Sequence, residues 1–91
     1  MEFERDEAKD TANRAKHGVA LADAARLDWD SALEFPDERR AYGEERIKAF
    51  ATLSARVVIC IYTIRDTCFR VIFLRKANAR EVKVYERYQR R

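Results

Sequence analysis

The chain has few of the residues that most enzyme sites require. Its 91 residues include two glycines, one proline, two cysteines and a single histidine. A phosphate loop needs several glycines, so the composition excludes a P-loop enzyme. A serine nucleophile needs a base and an orienting group, and the serines are only Ser31 and Ser54. The sequence therefore argues against nucleotide-dependent enzymes and serine hydrolases.

Long apolar runs and paired cysteines are also absent. No run of about 18 apolar residues occurs, so no transmembrane helix is expected. The acidic start, residues 1–10, is neither a signal nor a transit peptide, and we expect a cytoplasmic protein. Cys60 and Cys68 are predicted to lie too far apart along a strand ladder to form a disulfide. With one histidine and no cysteine pair at ligand spacing, neither a metal nor a cofactor is expected.

A dense β-forming stretch, residues 56–75, organises the chain. Two segments, Val57–Ile64 and Phe69–Leu74, are rich in Val, Ile, Phe and Tyr. The polar residues 65–67 between them have the length of a hairpin loop. A third segment, Arg46–Leu53, precedes them. The pattern predicts a three-stranded antiparallel meander.

The loop positions predict a register, with Ile47 opposite Tyr62 and Tyr62 opposite Arg70. Side chains alternate between the two faces along a strand. The first face is predicted to hold Ile47, Ala49, Ala51, Val58, Cys60, Tyr62, Arg70, Ile72 and Leu74. The second face is predicted to hold Arg46, Lys48, Phe50, Ile59, Ile61, Thr63, Phe69, Val71, Phe73 and Arg75. The second face would be apolar in the middle and cationic at its ends.

Helices are predicted before this meander. Asp6 is suited to be the N-cap of a helix over Glu7–His17, and Gly18 is suited to end it. A stripe of small residues on this helix predicts close packing against another element; the stripe is Ala8, Ala12 and Ala15. A second short helix is predicted over Leu21–Leu27, and Trp29–Phe35 fits either a short strand or irregular packing.

The chain after the helices completes the predicted architecture. Asp37–Gly43 is a polar connector into the first long strand. After the meander, Asn78 and Glu81 have the spacing of a capping box that opens a helix through about Tyr88. We therefore predict one α+β domain over residues 1–91, with N-terminal helices and a C-terminal helix packed on an antiparallel meander.

Charge is distributed unevenly along the chain. Residues 1–38 carry a balance of −6 and residues 39–91 a balance of +9, within a formal net charge of +3. Such a split indicates an anionic partner for the second half. Nucleic acid is the commonest such partner, because each neutralised phosphate releases counterions.

The residues left for chemistry are cationic and phenolic. Cleavage of RNA by its own 2′-hydroxyl needs a base, charge stabilisation at a crowded phosphate, and a proton for the 5′-oxygen. Arg and Lys supply the charge, a His, Tyr or Glu moves the protons, and no metal is required. The candidate catalytic residues are His17, Arg46, Arg75, Tyr62 and Glu81. The candidate nucleic-acid-binding residues are Lys16, Lys48, Arg70, Lys76 and Arg80.

Each candidate also has a structural interpretation. His17 is placed to satisfy carbonyls at a helix C-terminus. Glu81 is the capping partner of Asn78, and Tyr62 fits a core position. The strand-end arginines suit surface ion pairs as well as phosphate contacts. The same set of residues would also serve a protein that binds RNA without cleaving it.

Several blocks of the sequence resemble the BrnT toxin family. They are Lys16-His17-Gly18-Val19, Gly43-Glu44-Glu45-Arg46, Arg70-Val71-Ile72 and Arg75-Lys76-Ala77, followed by Glu81 and Tyr85. The resemblance runs essentially end to end. It implies a bacterial type II toxin with a RelE-like fold that cleaves RNA and inhibits translation. It also implies a BrnA-type antitoxin, a ribbon–helix–helix protein through which the toxin reaches operator DNA.

The sequence departs from the family pattern at a few positions. Phe73 stands where the family usually has Ser before the strand-end arginine. The other departures are Arg5, Leu21 and Ala51. The alternative function is therefore a binding module with weak or no catalysis, the antitoxin-bound subunit of a DNA-binding repressor complex. Because the second face is predicted to be largely uncovered and apolar, we expect the antitoxin to lie over Arg46, Phe73 and Arg75.

Overall fold

A computed structural model describes residues 3–38 and 43–90, and in it helices pack on a five-stranded mixed sheet. In chain order the elements are β1 (Phe3–Glu4), α1 (Glu7–His17), 3₁₀ helices over Leu21–Arg26 and Trp29–Ser31, β2 (Leu33–Pro36), β3 (Ile47–Leu53), β4 (Arg56–Arg65), β5 (Cys68–Lys76) and α2 (Ala79–Gln89). The strand order is β1-β5-β4-β3-β2, in which only β1 and β5 are parallel. The predicted α+β class is confirmed.

The ambiguous segment Trp29–Phe35 forms a 3₁₀ turn that leads into β2, an edge strand antiparallel to β3. The predicted connector Asp37–Gly43 lies in part outside the described residues. None of the helices in the described ranges is long and apolar enough to cross a membrane.

The bounds of α1 follow from its two caps. Asp6 Oδ1 accepts hydrogen bonds from the backbone N–H groups of Ala8, at 2.9 Å, and Lys9, at 3.1 Å. At the other end Gly18 adopts φ +74°, and its N–H donates to the carbonyl of Arg14 at 2.9 Å. Glycine takes this left-handed conformation without steric cost. Both predicted caps are confirmed.

The inward face of α1 is polar, which corrects the sequence prediction. The three alanines of the predicted stripe are exposed: Ala8, Ala12 and Ala15. The buried residue is Asn13, whose Nδ2 donates to the carbonyls of Val19, at 2.8 Å, and Leu74, at 2.6 Å. Its Oδ1 accepts from the N–H of Leu74 at 3.3 Å. An amide bonded to the edge of β5 therefore holds this helix in place, where the prediction expected small-residue packing.

The pairing of β3 with β4 confirms the predicted register. Ile47 lies opposite Tyr62, and the ladder continues to Leu53 opposite Arg56. Both hairpin turns have two central residues with positive φ; these are Ser54, Ala55, Asp66 and Thr67. Positive φ at both central positions matches the right-handed twist of the flanking strands.

The pairing of β4 with β5 differs from the prediction because of a β-bulge. Tyr62 lies opposite Val71, whereas Arg70 was predicted there. The preceding residue of β4 faces Phe73, so Ile72 is left without a partner in the ladder. An extra residue of this kind shifts the side-chain alternation by one. Sequence alternation alone cannot place such a shift.

The bulge changes which residues of β5 reach each face. Phe69 and Val71 join the first face, and Ile72 joins Phe73 on the second. The first-face core consists of Val19, Leu21, Ala24, Leu27, Ala49, Ala51, Val58, Cys60, Tyr62, Val71 and Leu74. The 3₁₀ helix over Leu21–Arg26 supplies part of this core, whereas its Ala25 is exposed.

Helix α2 covers the second face. Tyr85, only 6% exposed, packs with Phe50, Ile59 and Ile61. The hydroxyl of Tyr85 donates to the carbonyl of Ser31 at 3.1 Å, which ties α2 to the segment before β2. The expectation that this face would be largely uncovered is therefore wrong, because the C-terminal helix lies across it.

Both cysteines are free, and they lie far apart along the ladder of β4 and β5, since Cys68 faces Arg65 at the hairpin end. Cys60 is buried in β4 opposite Leu74, whereas the predicted register placed it opposite Ile72. Burial raises the pKa of its thiol to about 12. Because a reactive cysteine needs a thiolate, Cys60 serves the core and not chemistry.

Candidate functional site

A buried carboxylate joins three elements on the second face. Glu81, in the first turn of α2, is 8% exposed. Arg75 donates from Nη1 to Oε1 at 2.7 Å and from Nη2 to Oε2 at 2.8 Å. The N–H of Asn78 donates to Oε1 at 2.9 Å, and Lys48 Nζ lies 3.3 Å from Oε2. One side chain thus links β3, β5 and α2.

Local sequence explains this arrangement. Asn78 Oδ1 accepts from the N–H of Glu81 at 2.9 Å, so the predicted capping box is present and starts α2 directly after β5. The short link brings the first turn of the helix back over the strand end that carries Arg75. A two-pronged guanidinium–carboxylate contact fixes both distance and orientation. The cap and the arginine therefore share one carboxylate.

The hydrogen bonds from Arg75 hold the pKa of Glu81 at about 2, although burial acts in the opposite direction. The Asn78 N–H and Lys48 lower it further. At neutral pH the carboxylate is ionised, has no proton to donate and is a weak base. Its chemistry suits the positioning of cations.

The ring of Phe73 contacts both the histidine and one arginine of the candidate set. The His17 ring meets it edge-on with centroids 5.5 Å apart, and Arg75 Cζ lies 5.8 Å from the Phe73 centroid. Partial burial lowers the pKa of His17, and the positive charges of Lys16 and Arg75 lower it further. At neutral pH the imidazole is therefore mainly neutral and able to accept a proton.

The remaining candidate cations are spread around this centre. Lys48 Nζ also lies 5.3 Å from the ring centroid of Phe50. Arg46 precedes β3, and its Nε donates to Glu44 Oε2 at 3.2 Å. Arg70 lies 3.7 Å from the Glu4 carboxylate. The exposed candidates are Lys16, Lys76 and Arg80.

Tyr62 is not brought together with the other catalytic candidates. It lies on the first face, where its hydroxyl donates to Glu34 Oε1 at 2.6 Å. Its ring packs against Phe69 at a centroid distance of 4.5 Å. Burial, together with the Glu34 carboxylate, raises the pKa of the phenol. The sheet itself separates this hydroxyl from Arg75.

Two residues with clear roles were not in the predicted site. Phe73 was noted as a departure from the family pattern and as part of the expected antitoxin interface, but not as a site residue, yet it contacts both His17 and Arg75. Its position two residues before Arg75 on one strand was the available signal, since such residues share a face. Asn13 also gave a signal, because asparagine is unfavourable inside a helix unless its side chain has another partner.

Fold and site together define a small α+β protein with cations arranged around one imidazole and one buried carboxylate. Across residues 3–38 and 43–90, no cluster of three or more His, Cys, Asp or Glu side chains is suited to hold a metal ion. The family described as the ribonuclease toxin, BrnT, of type II toxin–antitoxin systems matches residues 6–81. The chain therefore belongs to the BrnT family, which confirms the resemblance seen in the sequence. Neither curated proteins nor solved structures gave a match.

We expect Glu81→Gln to reduce the free energy of unfolding by about 2–3 kcal/mol at pH 7, because Arg75 and Lys48 would lose their carboxylate. The pKa of Glu81 is lowered to about 2 from 4.5, so its contribution is present above pH 4.5 and lost as pH falls towards 2. Urea denaturation at several pH values would measure both effects. Glu86→Gln, on the exposed side of α2, is the control and should change stability by less than about 0.5 kcal/mol. Equal losses in both variants would contradict the anchoring role.

The single histidine makes the charge environment of the site directly measurable. We expect the NMR titration of His17 to give a pKa below 6.5. Arg75→Gln should raise this pKa, because it removes a positive charge that disfavours the imidazolium. Arg65→Gln, an exposed residue of the β4–β5 hairpin, is the matched control and should leave the titration unchanged. The same pKa in all three proteins would show that Arg75 does not act on the imidazole.

Proposed function

We propose that this protein is an endoribonuclease toxin that cleaves RNA through the RNA's own 2′-hydroxyl, without a metal, and so inhibits translation in the cytoplasm. Membership of a ribonuclease toxin family supports the general activity. The observation that carries the mechanism is that the imidazole of His17, whose pKa is lowered, and the anchored guanidinium of Arg75 both contact the ring of Phe73.

The proposed reaction assigns one task to each side chain. His17 takes the proton of the 2′-hydroxyl, whose oxygen then attacks the adjacent phosphorus. Arg75 and Lys48 stabilise the negative charge that builds on the phosphate oxygens. The bond from phosphorus to the 5′-oxygen breaks, and that oxygen takes a proton from solvent. The products are a 2′,3′-cyclic phosphate and a free 5′-hydroxyl.

Two of the predicted catalytic residues receive different roles in this proposal. Glu81 is a positioning residue, because its ionised carboxylate orients Arg75 and Lys48 but has no proton to give. Tyr62 is a core residue, since its hydroxyl is bonded to Glu34 on the opposite face of the sheet. Arg46 and the other candidate cations would contact phosphates away from the cleaved bond; these are Lys16, Arg70 and Arg80.

A second function is favoured by one observation. The guanidinium of Arg75 donates two hydrogen bonds to Glu81, so part of its charge is already neutralised before a substrate binds. A cation that is already paired gives less stabilisation to the extra negative charge of a transition state, which favours a role without catalysis. The alternative is therefore a non-catalytic subunit that acts with its antitoxin as a DNA-binding repressor.

Cleavage of a labelled single-stranded RNA by the purified protein separates the two functions. We expect His17→Asn to lower the rate by at least about 10²-fold, because it removes the base. Tyr62→Phe should cleave at the rate of the unmodified protein, and thermal unfolding would confirm that both variants fold. Intact RNA after incubation with the unmodified protein would favour the repressor subunit. A large loss in Tyr62→Phe alone would mean that the site lies on the first face.

We also propose that a BrnA-type ribbon–helix–helix antitoxin binds this protein through a groove between α2 and β2. The groove is lined by Leu33, Phe35, Val84, Arg87 and Tyr88. Phe35 is 45% exposed and Tyr88 40%, so apolar surface is available here after α2 has covered the rest of the second face. Arg87 at the groove suits an acidic side chain on an otherwise apolar helix or strand. An extension of that partner over Arg46, Phe73 and Arg75 would block the RNA site.

Val84→Glu should weaken the complex with a BrnA-type antitoxin by at least about 10²-fold, because a charge would be buried in an apolar contact. Titration calorimetry of the two purified proteins measures this change. Lys83→Glu introduces the same side chain one position away and is the control. RNA cleavage by Val84→Glu should be unchanged. Equal affinities for the two variants would place the antitoxin elsewhere.

A further inference from the structure

A cationic concavity lies on the first face, where β3 turns into β4. Its volume is about 350 Å³, and its lining is Gly18, Val19, Arg26, Leu53, Ser54, Arg56, Val58 and Lys76. The three cations come from three separate segments of the chain, namely the end of a 3₁₀ helix, the start of β4 and the end of β5. This size suits a phosphate together with part of its sugar.

Little negative charge opposes these cations. Arg26 Nη1 lies 3.2 Å from Asp23 Oδ1, but the arginine side chain is 66% exposed and such a pair is weak. Within residues 3–38 and 43–90, Arg56 and Lys76 form no ion pair or side-chain hydrogen bond. Like charges left together in a concavity raise the local concentration of anions.

Glycine keeps the floor of this concavity open. A Cβ at Gly18 would lie 3.8 Å from Lys76 Nζ, so any longer side chain there would approach the ammonium group. The left-handed conformation of Gly18, with φ +74°, also disfavours a replacement. The residue that ends α1 therefore also leaves Lys76 accessible.

Two residues of the concavity are sequence neighbours of residues in the proposed cleavage site. Lys76 follows Arg75, and Gly18 follows His17, so each site residue has its neighbour in the concavity. Consecutive Cα atoms are about 3.8 Å apart, and alternation along β5 sends Arg75 to the second face and Lys76 to the first. An RNA strand that passes His17 and Arg75 reaches the concavity by turning around the ends of α1 and β5.

We propose that Arg26, Arg56 and Lys76 form a second phosphate-binding site, which holds the RNA backbone beyond the cleaved bond on the opposite face of the sheet. The inference rests on the proposed function, because it assigns the phosphate to the RNA substrate. It predicts that the protein distinguishes RNA by length, since a dinucleotide reaches only the cleavage site whereas a longer strand reaches both.

Binding of labelled single-stranded RNA at several salt concentrations tests this site. The background variant His17→Asn prevents cleavage, and the probes are a dinucleotide and a strand of about ten nucleotides. Adding Arg56→Gln and Lys76→Gln should weaken binding of the longer strand by about tenfold and lower the log–log salt slope by about 1.4, which is about 0.7 per contact. Dinucleotide binding should not change.

A matched pair of substitutions controls for the loss of net charge. Lys83→Gln with Arg90→Gln removes two exposed cations from α2 and its C-cap and should leave the slope unchanged. If the Arg56 and Lys76 variant binds the longer strand normally and its salt slope is unchanged, this inference is overturned but the proposed function is not. No binding of either RNA by the background variant overturns the proposed function and this inference with it. A titration with inorganic phosphate can be followed through the NMR amide signals of Gly18 and Ser54. If phosphate shifts these signals and RNA does not compete with it, the inference is also overturned, because the site would then serve a free anion.

Discussion

The carboxylate of Glu81 is the contact on which the second face depends. It is the capping group of α2, the partner of Arg75 and a neighbour of Lys48, so helix, central sheet and cationic surface share one buried charge. A buried charge is stable only when it is paired and hydrogen-bonded. The two cations beside it are therefore needed for folding as well as for any contact with phosphate. The positions of Arg75 and Lys48 are thus tied to the packing of α2 on the sheet.

The two faces of the sheet carry different kinds of side chains. On the first face, Tyr62 and its aromatic neighbours pack with the N-terminal segment, and the phenol is bonded to Glu34. On the second face, α2 covers the middle of the sheet, and the end near Arg75 holds the polar groups. The C-terminus of α1 reaches both faces, because His17 contacts Phe73 while Gly18 lies beside Lys76. The end of β5 therefore lies between the aromatic core of the first face and the proposed cleavage site on the second.

Local signals in the sequence predicted the caps of both helices and the pairing of β3 with β4. Alternation along the strands also predicted that Tyr62 and Arg75 lie on opposite faces, although both were named as catalytic. The bulge at Ile72 was not predictable, because an inserted residue leaves no mark in an apolar run. The role of Asn13 depends on the backbone of Leu74, a contact between residues far apart in the chain. The RelE-like relationship stays a prediction.

The amide of Asn13 has a consequence for self-association. A strand at the edge of a sheet presents backbone groups to which another chain can add a strand. On β5, the parallel strand β1 pairs beside Phe69, and Asn13 bonds both backbone groups of Leu74. At the other edge, β2 is four residues long and ends in Pro36, which has no N–H to donate. The sheet thus limits strand addition at both edges, which disfavours edge-to-edge pairing between copies of the chain.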